Sequence, residues 1–477
     1  MQTLLINGTW RTPRERLALD VVDPSTGKTF AEIGRGRADD IDDAVTAARA
    51  SLSDSWGQFT ALERSRVLLR AASLVSGQAD ELAKLEARET GKPLRVARAE
   101  IDVVARYFEF YGGAADKVGG HVIPYLAGHN AVATREPLGV TAHIIPWNYP
   151  AVMFGRSIAP ALAVGNATVL KPAEDACLTT LKLAQILLDA GLPAGALNVV
   201  TGTGDEAGAA LAAHPGIDFI SFTGSPRVGT LVQQAAAINH VRCVLELGGK
   251  SPQIVFDDAD LDAALPVIVN AIVQNAGQTC SAGSRVLIAR DSYASFTARL
   301  AEAFSALQVG APEHDAACGP LINRTQLERV TRFVDRASRD GVAILARGRI
   351  KDGTSPDGYF FAPTLFGNVP RDHELARDEV FGPVLAALPF DSEEHAIALA
   401  NDTPYGLVTG VWTRDGDRQA RMARRVRSGQ VFINCYGAGA GVELPFGGFG
   451  RSGYGREKGL AALEEMSAVK TVVHRYG

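Results

Sequence analysis

The five cysteines of this 477-residue chain are scattered, odd in number and never spaced Cys-x-x-Cys. That excludes a disulfide framework and a zinc knuckle, no metal site is expected, and the pattern fits a reducing compartment where a thiol stays free. No apolar run approaches the ~18 residues of a spanning helix; the longest candidates are broken by Pro, Gly or Asn. The first residues, Met1 to Gly8, lack a basic stretch followed by a long apolar core, so no signal peptide is expected and the expected location is cytoplasmic. Long basic runs are missing and the net charge is −5, which argues against a nucleic-acid partner. Internal repeats and low-complexity tracts are also lacking. The 49 glycines and 23 prolines are dispersed between periodic segments, as tight turns require, and do not form a linker.

What is present is a long alternation of strand and helix patterns. Short strands and turns fill the first forty residues. Helical periods follow at Leu62 to Val75, at Ala79 to Glu89 with Gly91 and Pro93 beyond, and from about Leu94 to Lys117. Asp39 and Asp40 stand where an N-cap is expected. Residues 119–138 have no helical period and read as a β-hairpin or arm. Their natural partner is the strand-like run Ala468 to His474, unless each pairs with another subunit. From Gly139 to Leu245, strands alternate with helices, which predicts a parallel, doubly wound sheet. Gly248-Gly249 reads as a junction, and after it a second α/β unit begins.

Sheets of this type bind ligands beyond the carboxyl ends of their strands. The turns there hold Asn148, Lys171 with Glu174, Thr223-Gly224-Ser225-Pro226, and Glu246. Ser225 can cap a helix starting at Pro226, whose free N–H groups suit a pyrophosphate, or the turn is a simple helix cap. Lys171 and Glu174 suit the hydroxyls of a ribose, or form a solvated ion pair. Glu246 is a candidate general base or a surface turn carboxylate. Asn148 can donate to an oxyanion or form an Asx turn. Cys280 follows a probable helix (Asp260 to about Gln274) that breaks at Gly277. It reads equally as a nucleophile near free N–H groups or as a buried small hydrophobe.

Taken together, these segments resemble the NAD(P)-dependent aldehyde dehydrogenase superfamily. Pro146-Trp-Asn-Tyr-Pro150, Lys171-Pro-Ala-Glu174, Phe222-Thr-Gly-Ser225, Glu246-Leu-Gly-Gly-Lys-Ser-Pro252, Asn275-Ala-Gly-Gln-Thr-Cys280, Glu379-Val-Phe-Gly-Pro383 and Pro445 to Gly453 occur in order across the chain. The resemblance implies two doubly wound α/β domains, one Rossmann-like and NAD-binding and one catalytic, plus a small β oligomerisation arm. The implied boundaries are 1–118 with 138–247 for the NAD-binding domain, to which 449–463 returns. The catalytic domain is 248–448, and 119–137 with 464–477 form the arm. A homodimer or homotetramer is the implied assembly, and the implied partner is a small aldehyde.

The same resemblance assigns roles. Cys280 attacks the aldehyde, the Asn148 amide and the Cys280 N–H hold the oxyanion, and Glu246 activates the hydrolytic water. Glu457 matches a position proposed for proton relay. For the cofactor, Lys171 and Glu174 hold the adenosine ribose, and Ala173 and Gly204 are further cofactor-binding residues. Thr223, Gly224, Ser225 and Val228 meet the pyrophosphate. Ile145, Pro146, Trp147, Phe222, Leu247 and Gly248 complete the groove. Glu379 and Phe381 serve the nicotinamide ribose. Glu174 favours NAD over NADP, and a glutamate at 246 favours hydrolysis over transfer to coenzyme A. Tyr149, Met153, Arg156, Ser281 and Phe446 are the implied substrate residues, with Val152, Phe108, Phe110 and Tyr436 near them. Arg156 could bind a substrate carboxylate, as in semialdehyde enzymes, or a phenolic oxygen of an aromatic aldehyde, or pair with a structural carboxylate. Position 274, a second arginine in some succinic semialdehyde enzymes, is Gln.

Overall fold

A computed structural model describes residues 3–437 and 441–476. Two large sheets organise the chain. The first has eight strands. Its five central strands, Leu197–Val199, Ala167–Pro172, Val140–Ile145, Phe219–Thr223 and Arg242–Glu246, run parallel. The strand Val140–Ile145 is buried at every position, as expected for a sheet covered by helices on both faces. The chain leaves this strand toward one edge, then crosses back to Phe219–Thr223 on its other side. The switch point, where ligand crevices form, lies between these two strands. Short antiparallel strands close the edges: Leu4–Ile6 with Thr9–Arg11 at one, Gly453–Tyr454 at the other.

The second sheet has seven strands, all parallel except its edge strand Ala343–Arg347. The chain passes from Glu246 in the first sheet to Pro252 in the second through 247–251. The carboxyl ends of the first sheet therefore face the amino ends of the second. The Cys280 loop, which precedes the strand Arg285–Ala289, lies in that seam; a Cβ on Gly249 would meet the Cys280 carbonyl oxygen at 2.4 Å.

A third sheet stands apart. His121–Ile123 and His129–Pro137 form the expected hairpin, and Ser467–Arg475 pairs with the latter in unbroken register from Ser467↔Pro137 to Arg475↔His129. The two remote segments thus pair with each other.

Several local readings shift. The first long helix is Ala38–Ser53 with Arg37 at its N-cap, so Asp40 is the third helical residue, and its carboxylate accepts from the Arg37 N–H. Helix Ala61–Gly77 is longer than its apolar period because Thr60 and Glu63 form a capping box. Residues 204–208 form a wide π-turn before the short helix Ala209–Ala212. The hairpin Ala18–Asp23 with Lys28–Gly34, turning at 24–27, supplies part of the short strands and turns expected in the first forty residues. Among the described residues, no helix is long and apolar enough to cross a membrane.

Candidate active site

The loop carrying Cys280 is held in a strained form. Helix Leu261–Val273 starts at Asp260, which accepts from Ala263 N–H, and ends in a tight turn. There Asn275 (φ 48°), Ala276 (φ 53°) and Gly277 (φ 72°) are successively left-handed and buried. Two of these carry a Cβ, and such strain persists only where the surroundings over-determine it. They do. Asn275 Nδ2 donates to the Asn148 carbonyl (2.9 Å), Asn148 Nδ2 to the Gln278 carbonyl (2.9 Å), and Ile322 N–H to Gln278 Oε1 (2.9 Å). A Cβ on Gly277 would lie 2.2 Å from the Gly382 carbonyl oxygen. We expect Gly277→Ala to lower stability by about 3 kcal/mol, combining a left-handed alanine with overpacking. The urea midpoint checks this, and Cys280 should also lose its defined alkylation rate.

Cys280 stands between two cavities, and among the described residues it alone lines both. The other cysteines have different surroundings: Cys177, Cys243 and Cys318 are buried away from both cavities, and Cys435 is exposed. Burial pushes the Cys280 thiol up to about 12. Arg156 and the Ser281 N–H oppose that push, while Glu246 and Glu379 add to it. The resting group is a thiol.

The first cavity, about 470 Å³, lies at the switch point and is lined by Pro146, Trp147, Asn148, Thr223, Gly224, Ser225, Glu246, Gly248, Glu379 and Phe381. Helix Pro226–Ile238 points its N-terminus here. Ser225 Oγ accepts from Val228 N–H (3.3 Å), leaving the neighbouring N–H groups and the positive helix end facing the space. Glu379 is anchored by Gly249 N–H (2.9 Å), and burial holds its carboxyl up to about 7. A Cβ at Gly248 would sit 2.5 Å from Glu379 Oε2, so glycine there is what lets the carboxylate in. Trp147 meets Phe381 edge-on at 5.5 Å. Ile145, Phe222 and Leu247 are buried behind this wall. Lys171, Ala173, Glu174 and Gly204 lie outside it, as a separate group at the neighbouring strand ends. There Lys171 Nζ donates to Glu174 Oε2 (2.7 Å) and Gly204 N–H to Glu174 Oε1 (3.4 Å).

The second cavity, about 330 Å³, is largely apolar and aromatic. Tyr107, Tyr149, Val152, Met153, Tyr436 and Phe446 line it, with Ser281 and Arg156. Phe108 and Phe110 do not. Phe108 is buried against Phe154 with ring centres 6.2 Å apart, and Phe110 packs on Tyr111. The helix Leu94–Ala114 presents Tyr107 to the cavity instead, one residue from the position read from the sequence. Tyr149 hydroxyl bonds Thr279 Oγ1 (2.7 Å), and Tyr436 donates to the Ser281 carbonyl (2.5 Å), tying the cavity wall to both flanks of Cys280.

Arg156 is buried between carboxylates. Its guanidinium ion-pairs with Glu457, lies 3.7 Å from Glu246, and stacks over the Phe446 ring at 4.4 Å. Glu457 also accepts from Ser221 Oγ (2.7 Å). The arginine brings together Glu246 at the end of one strand and Glu457 from a loop two hundred residues later. Both Glu246 oxygens are buried without a hydrogen-bond partner. Burial drives that carboxyl well above the ordinary range, Arg156 opposes the rise and Glu457 adds to it. Thr279, Tyr107 and Lys458 also line the cavity, and a single helix face or loop position carries no sequence signal of what it faces.

The Aldehyde dehydrogenase family model matches residues 10–472. A hydroxyisobutyraldehyde dehydrogenase of Mycolicibacterium austroafricanum is 42% identical over 471 residues, 98% of this chain and 93% of that protein. The crystal structure of a Burkholderia cenocepacia protein assigned as an aldehyde dehydrogenase superposes with a TM-score of 0.99 at 59% identity, over 100% of both chains. A betaine aldehyde dehydrogenase from Staphylococcus aureus, solved in complex with NAD+, gives a TM-score of 0.96 at 34% identity, over 99% of this chain and 94% of that one. With the cysteine, glutamate and amide around one seam and a family match along nearly the whole length, this chain belongs to the aldehyde dehydrogenase family.

Proposed function

We propose that the protein oxidises an aldehyde to its carboxylic acid with NAD as hydride acceptor. The observation that carries this reading is Cys280 lining both cavities, with Asn148 and Glu246 on the side of the helix N-terminus. The cradle fits a dinucleotide: it has a capped helix N-terminus, a glycine that admits Glu379, and a lysine–glutamate pair at the next strand end. A nicotinamide bound there supplies the hydride acceptor. The protein's own residues do the rest. Cys280 Sγ bonds the carbonyl carbon, and the Asn148 amide with the Cys280 N–H donates to the oxygen as charge develops. The thiol proton of Cys280 goes to solvent, and departure of the aldehyde hydrogen as hydride to the acceptor leaves the acyl group as a thioester on Cys280. Glu246 then takes a proton from the water that attacks the thioester carbon, and the C–S bond breaks to release the acid.

The aldehyde enters from the apolar cavity. Arg156 is already matched by Glu457 and Glu246, so we assign a neutral aldehyde, aromatic or branched, rather than one carrying a carboxylate. Glu174 would repel a 2′-phosphate, which supports NAD over NADP. By the same reading, 1–118 with 138–247 bind the dinucleotide, together with 449–463, and 248–448 carry the nucleophile. The sheet formed by 119–137 and 464–477 joins subunits into a dimer or tetramer. Its exposed Val122, Val469 and Val473 support that role. The test is NADH or NADPH formation across a panel of neutral and carboxylated aldehydes. We expect NAD to outperform NADP by about tenfold or more, the order of one repelled charge near a carboxylate, and neutral aldehydes to lead. Equal rates with succinic semialdehyde and a neutral aldehyde of similar length would overturn the substrate assignment.

A further inference from the structure

A second group of buried charges lies behind the oxyanion side of the site. Lys92 is 1% exposed, at the turn between helices Ala79–Thr90 and Leu94–Ala114. A lysine has three donors and no acceptor. All three are used: on Glu86 Oε1 (3.2 Å), on Glu100 Oε2 (2.6 Å) and on the backbone carbonyl of Asn148 (3.1 Å). The ammonium also sits 4.6 Å over the Tyr149 ring, whose hydroxyl reaches Thr279 beside Cys280. The same Asn148 carbonyl accepts from Asn275 (2.9 Å). Two donors from opposite sides thus fix the 148–149 peptide, and with it the direction of the Asn148 amide.

Both ion pairs of the lysine are buried. The second oxygens of Glu86 and Glu100, Oε2 and Oε1, are buried and have no hydrogen-bond partner. Burial, with Glu86 beside it, holds the Glu100 carboxyl up to about 8 against the pull of Lys92. Burial also works against the lysine, but Glu100 and Glu86 outweigh it and keep the ammonium charged. The ammonium therefore lies between two carboxyls with every donor committed.

We infer that Lys92 is a positioning residue for the oxyanion donor: its ammonium, held by the Glu86–Glu100 pair, clamps the Asn148 carbonyl and the Tyr149 ring and so aims the Asn148 amide at the carbonyl oxygen of the substrate. The inference rests on the role proposed for Asn148. It implies that loss of Lys92 weakens acylation of Cys280 through Asn148 and leaves dinucleotide binding alone, because Lys92 does not itself line the cofactor cavity and reaches it only through the Asn148 carbonyl.

The test uses p-nitrophenyl acetate, which acylates Cys280 through the same kind of oxyanion, releases nitrophenolate and needs no cofactor. Lys92→Met should slow acylation about tenfold to a hundredfold, the cost of a misplaced donor. NAD affinity, measured by direct titration, should be unchanged. In the Asn148→Ala background the same substitution should cost less than about threefold more, since the two act as one unit. Independent, multiplying losses would overturn the role of Lys92 while leaving Asn148 as donor. An Asn148→Ala enzyme that acylates at full rate would instead sink the oxyanion reading itself. If Lys92→Met does not fold, Glu86→Gln with Glu100→Gln leaves the ammonium buried without a carboxylate, so that it sheds its charge. The same dependence on Asn148 is expected, and its absence overturns the proposal.

Discussion

Cys280→Ala will lower aldehyde oxidation by at least about 10⁴-fold while leaving the fold and NAD binding intact, because removing a nucleophile removes the whole covalent route. No other thiol can stand in. Cys177, Cys243 and Cys318 lie away from both cavities, and Cys435, though beside Tyr436, lines neither. The same residue sets a pH signature in the protein without cofactor. Burial pushes the thiol from its ordinary value to about 12. The reactive thiolate is therefore scarce at neutral pH, and its fraction climbs with pH up to that value. Alkylation by iodoacetamide should rise about tenfold per pH unit between pH 7 and 10, with no plateau near pH 8.5. Cys280→Ala should abolish that labelled site. Retention of more than a hundredth of the wild-type turnover would show that the covalent assignment is wrong.

Glu246→Gln should have the second largest effect, about 10²- to 10⁴-fold on steady-state turnover, the usual worth of a positioned base. Glutamine keeps the shape but cannot accept a proton. Both glutamate oxygens are buried and free of hydrogen-bond partners, so the substitution breaks no hydrogen bond, and Arg156 keeps Glu457 as its closer carboxylate. The chemistry should split. One NADH per active site still forms as a burst, and the later turnovers, which need water activated against the thioester, nearly stop. Arg156 helps to set how much base is available. Burial and Glu457 favour the protonated Glu246, and Arg156, followed by Arg456 and Lys458, favours the carboxylate. A variant whose burst and turnover fall equally would move Glu246 from hydrolysis to the first half of the reaction.

Cys280, Glu246 and Asn148, the proposed nucleophile, base and oxyanion donor, could be singled out because each sits at a strand end or helix break, but taken alone each also had a structural reading, and only the order of the motifs, as a family resemblance, assigned the roles. The arm was legible for a related reason: two segments lacked helical period and stood outside the alternation. Partnerships across space were not. Nothing local to Arg156 says that Glu457, three hundred residues on, will neutralise it. Nothing at Lys92 says that its ammonium will reach the carbonyl of Asn148, because a Gly-Lys-Pro turn reads as a helix stop. Tyr107 rather than Phe108 faces the cavity because a one-residue rotation of a buried helix changes no composition. The left-handed run at Asn275 and Ala276 ran against their own preference, and only the surrounding hydrogen bonds hold it.

The edge strand Gly453–Tyr454 pairs with Leu245 and Glu246, and Ser452 accepts from Leu247 N–H, so the base rests on a strand whose neighbour is made two hundred residues later. At ribosomal speed that interval is roughly tens of seconds. During it Cys280 has already been synthesised, but the strand carrying Glu246 has an open edge and Glu457, the ion-pair partner of Arg156, does not yet exist. The seam between the sheets therefore closes among the last events of synthesis. The nascent chain holds a thiol without its machinery, and reactivity arrives only with a nearly finished protein.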